Sequence, residues 1–457
     1  MKRISSLLAA VSLPLFLTGC LFDNDDDAPT VEPPPPPEFA NVRVIHAASD
    51  APLVNITAND AILNGLESVD YQVASSRFEV ETGTYDIGVT AILPGENAEV
   101  LQADVTLEAD MNYDVFAVGS VADDSLMLLP VTSEETAVEA GNAQVQIVHA
   151  ASDAPTVDIY VTAPGAALAD EQPLATAAFM DATGLVQVPA GDYQIRITPA
   201  GSTDVVFDSG TVALADGADL LVAATNNVGS GDSPVTLLVA DGTSAVKLWD
   251  ADATADIRVV HGISDAPAVD VIANNAVTLV DALAFPAATG YLSVAPDDYL
   301  VDVVADADNS VVAIDDAAIT LETGMSYTAI ANNTLAAPEL DLLADMPRRV
   351  ATEARVRIVH ASPDAGSVDI YVTADGNIDS VDPAFAGVDY TTDALAETGY
   401  VGLAAGEYVV TVTAAGTKQP AIETGLLMLE AGSLYTAIAV NGSMEAAPPQ
   451  LILMDDF

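Results

Sequence analysis

The chain has 457 residues, 68 acidic and 12 basic, for a net charge of −56 at pH 7. That charge argues against nucleic acid as a partner, since phosphate binding needs a cationic surface, and against electrostatic adhesion to anionic lipid. Apolar residues make up 51% of the chain, enough to exclude disorder for the bulk, and the single cysteine excludes intrachain disulfides and thiolate metal sites.

Residues 1–20 read as an export signal. Lys2 and Arg3 precede the apolar stretch LLAAVSLPLFL, which is too short for an ordinary membrane span. It ends in LTGC, which resembles the bacterial lipobox. By that resemblance, cleavage leaves Cys20 as the lipid-bearing N-terminus, and acyl chains there are the expected membrane attachment. Loss of Lys2 and Arg3 leaves ten basic residues against 68 acidic, a net −58. Residues 21–40 carry the acidic run DNDDD and five prolines, Pro33 to Pro37, expected to form a solvated tether with a polyproline rod. Leu21, not Asp, follows the cysteine, which favours the outer membrane, at its periplasmic face or the cell surface.

From about residue 41 the chain repeats four times. VRVIHAASDAP at Val42 returns as VQIVHAASDAP at Val145, IRVVHGISDAP at Ile257 and VRIVHASPDAG at Val356. These segments contain all four histidines, His46, His149, His261 and His360, spaced by 103, 112 and 99 residues. A Gly/Asp-Tyr hairpin follows each at Tyr85, Tyr193, Tyr299 and Tyr408, then a LEADMNY-like segment and a closing apolar run. Repeats near 100 residues suit independent domains rather than solenoid units. The expected units are 41–132, 144–242, 256–345 and 355–457, joined by linkers at 133–143, 243–255 and 346–354. The last run reaches the C-terminus, so the fourth unit reads as complete. Units two and four share VDIYVTA, which suggests duplication of a two-domain piece. Short Val-, Ile-, Thr- and Tyr-rich runs broken by Gly, Pro, Asn and Asp read as strands. About seven antiparallel strands per unit predict an all-β protein of four tandem immunoglobulin-like or transthyretin-like sandwiches, with no helix of any length.

Strand alternation puts Val42, Val44 and His46 on one face and Arg43 and Ile45 on the other. Each histidine therefore ends the core-facing row. SDAP turns the chain, and in TVDIYV the residues Val157, Ile159 and Val161 point inward. A functional reading joins each histidine to its acids: His46 and Asp50; His149, Asp153 and Asp158; His261, Asp265 and Asp270; His360, Asp364 and Asp369. One imidazole and two carboxylates is a thin zinc set, and imidazole is the wrong ligand for calcium. No nucleophile recurs beside it. The structural reading, a ring packed at the core edge with its nitrogens on the turn, is preferred, with no catalytic residue and no metal site. Arg43, Arg258 and Arg357 stand three residues before histidine, where unit two has Gln146; ion pairs across the outer sheet face are expected, with anion binding as the alternative. The hairpin tyrosines read as edge plugs resembling a tyrosine corner. DNDDD and the DADN run at 306–309 have calcium chemistry without EF-hand spacing. The one tryptophan, Trp249, falls in a linker, so an aromatic carbohydrate platform is not expected.

Three ordered motifs recur over nearly all of 41–457: VRVIHAASDAP, aGxYxvxv and LeaGxxYTaia. They resemble a bacterial extracytoplasmic family known as domain of unknown function 4397. Asn55, Gly366 and Leu220 depart from its pattern. The resemblance implies a β-rich exported module, often lipid-anchored, with no established reaction. The expected role is a non-catalytic envelope protein presenting four modules for structural, adhesive or ligand-binding work on a protein or glycan, without cofactor, or with Ca2+. The alternative is a metal-dependent enzyme or metal-binding protein built on the His/Asp motif.

Overall fold

The computed structural model describes residues 36–392, 394–443 and 447–456. Cys20, the signal and most of the tether lie outside them. Each unit is a two-sheet sandwich. One sheet carries the histidine strand, the other the tyrosine hairpin. In unit one the histidine sheet runs Phe78–Glu81, Phe39–His46, Met111–Val118 and Met127–Glu134; its partner runs Ala61–Ile62, Val54–Ala58, Gly83–Ala91 and Ala98–Leu107. The same order recurs three times. The histidine strands of units two to four are Asn142–His149, Ala255–His261 and Ala354–Ala361.

One pairing departs from the antiparallel expectation. Every histidine strand runs parallel to the strand of the third motif, with Ile45 opposite Phe116, Val148 opposite Ala223, Val260 opposite Ile330 and Val359 opposite Ile438. A parallel pair needs a long crossover, and here the whole second sheet serves as that crossover. No α-helix occurs among the described residues; two short 3₁₀ turns, Leu168–Asp170 and Pro363–Ala365, are the helical segments. The linkers are structured as well: Ala245–Leu248 adds a strand to the histidine sheet of unit two, and Val350 and Arg348 in the third linker are buried.

Alternation along the histidine strand builds two kinds of core. Val42 and Val44 pack with Val54, Ile56, Val89 and Val115 between the sheets of unit one. The opposite face was expected to meet solvent. Instead Ile45, Phe116, Val118 and Val131 pack on Val148, Leu221, Ala223 and Leu238 of unit two. Units three and four meet in the same way, through Val260, Ile330 and Leu343 against Val359, Ile438, Val440 and Ile452. A tandem of separate beads is therefore not what forms. A histidine sheet apolar on both faces cannot stay solvated on one of them, so it buries its outer face against the neighbouring unit. The pairs are one–two and three–four, and Glu38–Phe457 is a single compact unit.

Candidate functional site

The repeated histidines close their own turns. His46 Nε2 lies 3.1 Å from the Pro52 carbonyl, His149 Nε2 3.0 Å from Pro155, His261 Nε2 2.9 Å from Pro267 and His360 Nε2 2.7 Å from Gly366. A carbonyl only accepts, so Nε2 carries the proton. Nδ1 then accepts the backbone N–H of Ala48, Ile263 and Ser362 in three units. Each ring also meets an aromatic edge: Tyr71, Phe179, Phe285 and Tyr390, at 6.3, 6.4, 6.0 and 6.0 Å between centroids. Burial favours the neutral ring and pulls His46 down from 6.5 to about 4, and lowers His261 and His360 as well.

The acids of the motif go elsewhere. Asp50 accepts from the amides of Val121 and Ala122 and from the Ser120 hydroxyl, and Asp265 from the Leu335 amide. Asp153 and Asp364 are held through their own amides by Asn226 and Asn441. Asp158 takes the Thr176 hydroxyl and the Gly201 amide, Asp369 the amides of Gly387 and Gly416, and Asp270 the amide of Ala282. No His–Asp hydrogen bond forms at any of the four copies. Asp270 instead stands beside Asp281 and Asp306, and Asp302 beside Asp315 and Asp316, two acidic groupings on the tyrosine-hairpin sheet of unit three. The hairpin tyrosines donate to the carbonyl four residues back, Glu81, Pro189, Ala295 and Ala404.

The arginines lie in the buried faces between units. Arg43 Nε pairs with Asp114 at 2.7 Å within unit one, and Arg77 bridges Asp114 and Asp219 of unit two. Between units three and four the arrangement is reciprocal. Arg258 reaches Asp456 of unit four at 2.5 Å, and Arg357 of unit four reaches Asp345 of unit three. Tyr291 donates to Asp345 and Tyr400 to Asp456, so each carboxylate is bonded from both sides of the interface. Gln146, the departure in unit two, donates to the Thr183 carbonyl.

A cleft of about 390 Å³ lies where all four units meet. Unit one contributes Asp70 and Tyr71, unit two Gly229, unit three Met325 and Asp345, and unit four Arg357, Glu397 and Tyr400. The second linker brings Lys247 and Trp249, and the third brings Met346, Pro347 and Arg348. Trp249 is seated on two glycines: an added Cβ at Gly324 would stand 2.4 Å from its ring, and one at Gly229 2.6 Å. Arg348 ties the third linker to the SDAP turn of unit one through the carbonyls of Ser49 and Ala51, and it also pairs with Asp70. Sequence reasoning passed over this place because its residues do not repeat. One signal was available: three of the ten basic residues that remain after Cys20, Lys247, Arg348 and Arg349, and the only tryptophan fall in the linkers.

The family model for Domain of unknown function (DUF4397) matches residues 40–160 and 255–371, the first unit of each pair and the start of the second. No curated protein matches the chain. Among solved structures, the Bacillus anthracis TIE protein is similar at 12% identity over 88% of this chain and 74% of its own, with a TM-score of 0.15.

Proposed function

From the premise that the chain belongs to the DUF4397 family, we propose that it is a non-catalytic, lipid-anchored protein of the cell envelope that binds a ligand at the junction of its four sandwiches. The lipid is placed on Cys20 and the protein on the outer membrane, with a protein or glycan as partner, no cofactor and an adhesive role. The observation that carries the binding reading is the junction cleft, lined from all four units and both later linkers. Clefts of this size at domain interfaces are where proteins commonly hold small ligands. Four equivalent loops acting multivalently are less favoured, because the SDAP turn of unit one is covered by Arg348. A metal-dependent enzyme would need an imidazole nitrogen among acids, whereas Nε2 is engaged by its own turn at every copy and, among the described residues, no histidine stands in an acidic grouping able to hold a metal.

The test uses intact cells carrying the Cys20→Ser and Ala344→Trp variants. The first is expected to lose acyl labelling and release the chain from the membrane. The second places an indole in the cleft, and is expected to keep the anchor and abolish attachment of cells to their surface. Attachment unchanged by Ala344→Trp would refute the binding role, and membrane retention of Cys20→Ser would refute the anchor.

A further inference from the structure

We infer that the junction cleft takes a saccharide bearing a carboxylate, its acid group on Lys247 and its ring on Trp249. This deepens the binding role proposed above and rests on it.

Three cation–aromatic pairs line the cleft. Arg348 stands 5.8 Å from the centre of the Tyr71 ring, Arg357 4.7 Å from that of Tyr400, and Lys247 Nζ 5.9 Å from that of Trp249. Two of the three are completed by carboxylates of the protein. Arg348 holds Asp70, and Arg357 holds Asp345, with Glu397 at 3.5 Å. The third is open. Among the described residues no carboxylate forms an ion pair with Lys247, and Asp70 acts on it only through space, although the chain has 68 acidic residues to place there. The Lys247 residue is exposed beside the only indole in the protein; partial burial of its ammonium lowers the pKa, and Asp70 offsets part of this. A ligand carboxylate at this point reproduces the pattern of the other two pairs.

The remaining groups specify the body of the ligand. Asp70 and Glu397 are about one-third exposed, at 37% and 35%, and their free lone pairs accept hydroxyl protons. The Trp249 ring, with Met325, Met346 and Pro347, offers an apolar surface to the C–H face of a sugar. The lining balances three basic against three acidic side chains, so a single negative charge is not repelled locally despite the net charge of −56. A polyphosphate would need more unpaired cations than one. A fatty acid matches the charge and the apolar surface, but brings no hydroxyl to the free lone pairs of Asp70 and Glu397.

This chemistry differs from the exposed aromatic row that composition argued against. One indole suffices when it is walled by ions. It also supplies the assay, because all tryptophan emission comes from Trp249. The full chain in detergent is titrated with a glucuronate-containing disaccharide, a neutral glucose disaccharide and octanoate. The expected result is a saturable emission change with the glucuronate probe alone, weakened by added salt. Lys247→Gln should weaken binding about tenfold or more with no change in melting temperature, and Lys247→Arg should retain it. Silence toward the glucuronate probe, or unchanged binding by Lys247→Gln, overturns the assignment. Equal binding of the neutral disaccharide or of octanoate also overturns it, while leaving the binding role of the cleft standing.

Discussion

Replacing Asp345 with leucine should break the lock between units three and four. The carboxylate is fully buried and accepts from Arg357 of the opposite unit, from the Thr328 hydroxyl at 2.6 Å and from the Tyr291 hydroxyl at 2.6 Å. Leucine leaves Arg357, itself only 1% exposed, with Glu397 at 3.5 Å and the Ala344 carbonyl at 3.1 Å. Removing one member of a buried pair costs about 3–5 kcal/mol, because the other charge stays desolvated. Glu397 recovers part of that, so a loss of about 3 kcal/mol is expected. Denaturant unfolding with hydrogen exchange read strand by strand measures it, since a multi-unit chain has no single unfolding midpoint. Protection should fall in Ser326–Thr334 and Leu434–Val440 and hold in Met111–Val118. Adding Arg357→Met should restore much of the stability by removing the stranded charge. A change within about 0.5 kcal/mol for the single variant, typical of an uninvolved surface site, would refute the reasoning; so would a double variant less stable than the single one.

Three further outcomes are expected. His46 is held near 4, below its unfolded value of 6.5, so the stability that its neutral form contributes is complete above pH 6.5 and is lost as pH falls toward 4. That amounts to roughly 3 kcal/mol, and it should be missing from the pH dependence of His46→Gln in paired denaturation curves at pH 7 and 4.5. Gly324→Ala and Gly416→Ala share a φ of +75°, but only the first meets the Trp249 ring; its melting temperature should fall further and its tryptophan emission shift, while Gly416→Ala leaves emission unchanged. A fragment of residues 38–250 should be monomeric by sedimentation, whereas residues 38–135 alone expose Ile45, Phe116, Val118 and Val131 and should self-associate.

The strand pattern, the four sandwiches and the core-facing parity of Val42, Val44 and His46 follow from alternation, which is a local property of the chain. The parallel pairing of the histidine strand is not local: it joins residues about 70 apart, and no turn residue announces it. The burial of the outer face was foreshadowed. Ile45, Val148, Val260 and Val359 are apolar at a position that a solvent-facing strand would give to polar residues. The three arginines were legible as a set because they repeat, but Asp345 and Asp456, the partners of Arg357 and Arg258, sit in closing strands that read only as apolar runs. The aromatic partners of the histidines follow at intervals of 25, 30, 24 and 30 residues. That alternation matches units one and three against two and four, so each spatial pair joins one unit of each kind.

Repetition therefore marks what the fold needs, and departure from it marks where the four units differ in use. A histidine that bonds its own turn is required in every sandwich, so it appears four times with its Nε2 on that turn. A cleft between four non-identical corners has no such symmetry. Trp249 requires the two glycines of units two and three, Arg348 requires the turn of unit one, and Lys247 requires the added edge strand of unit two that carries it. Each of these residues occurs once because its neighbours come from different units. The docking of the units thus also creates a place where the chain can present chemistry that none of its repeats contains.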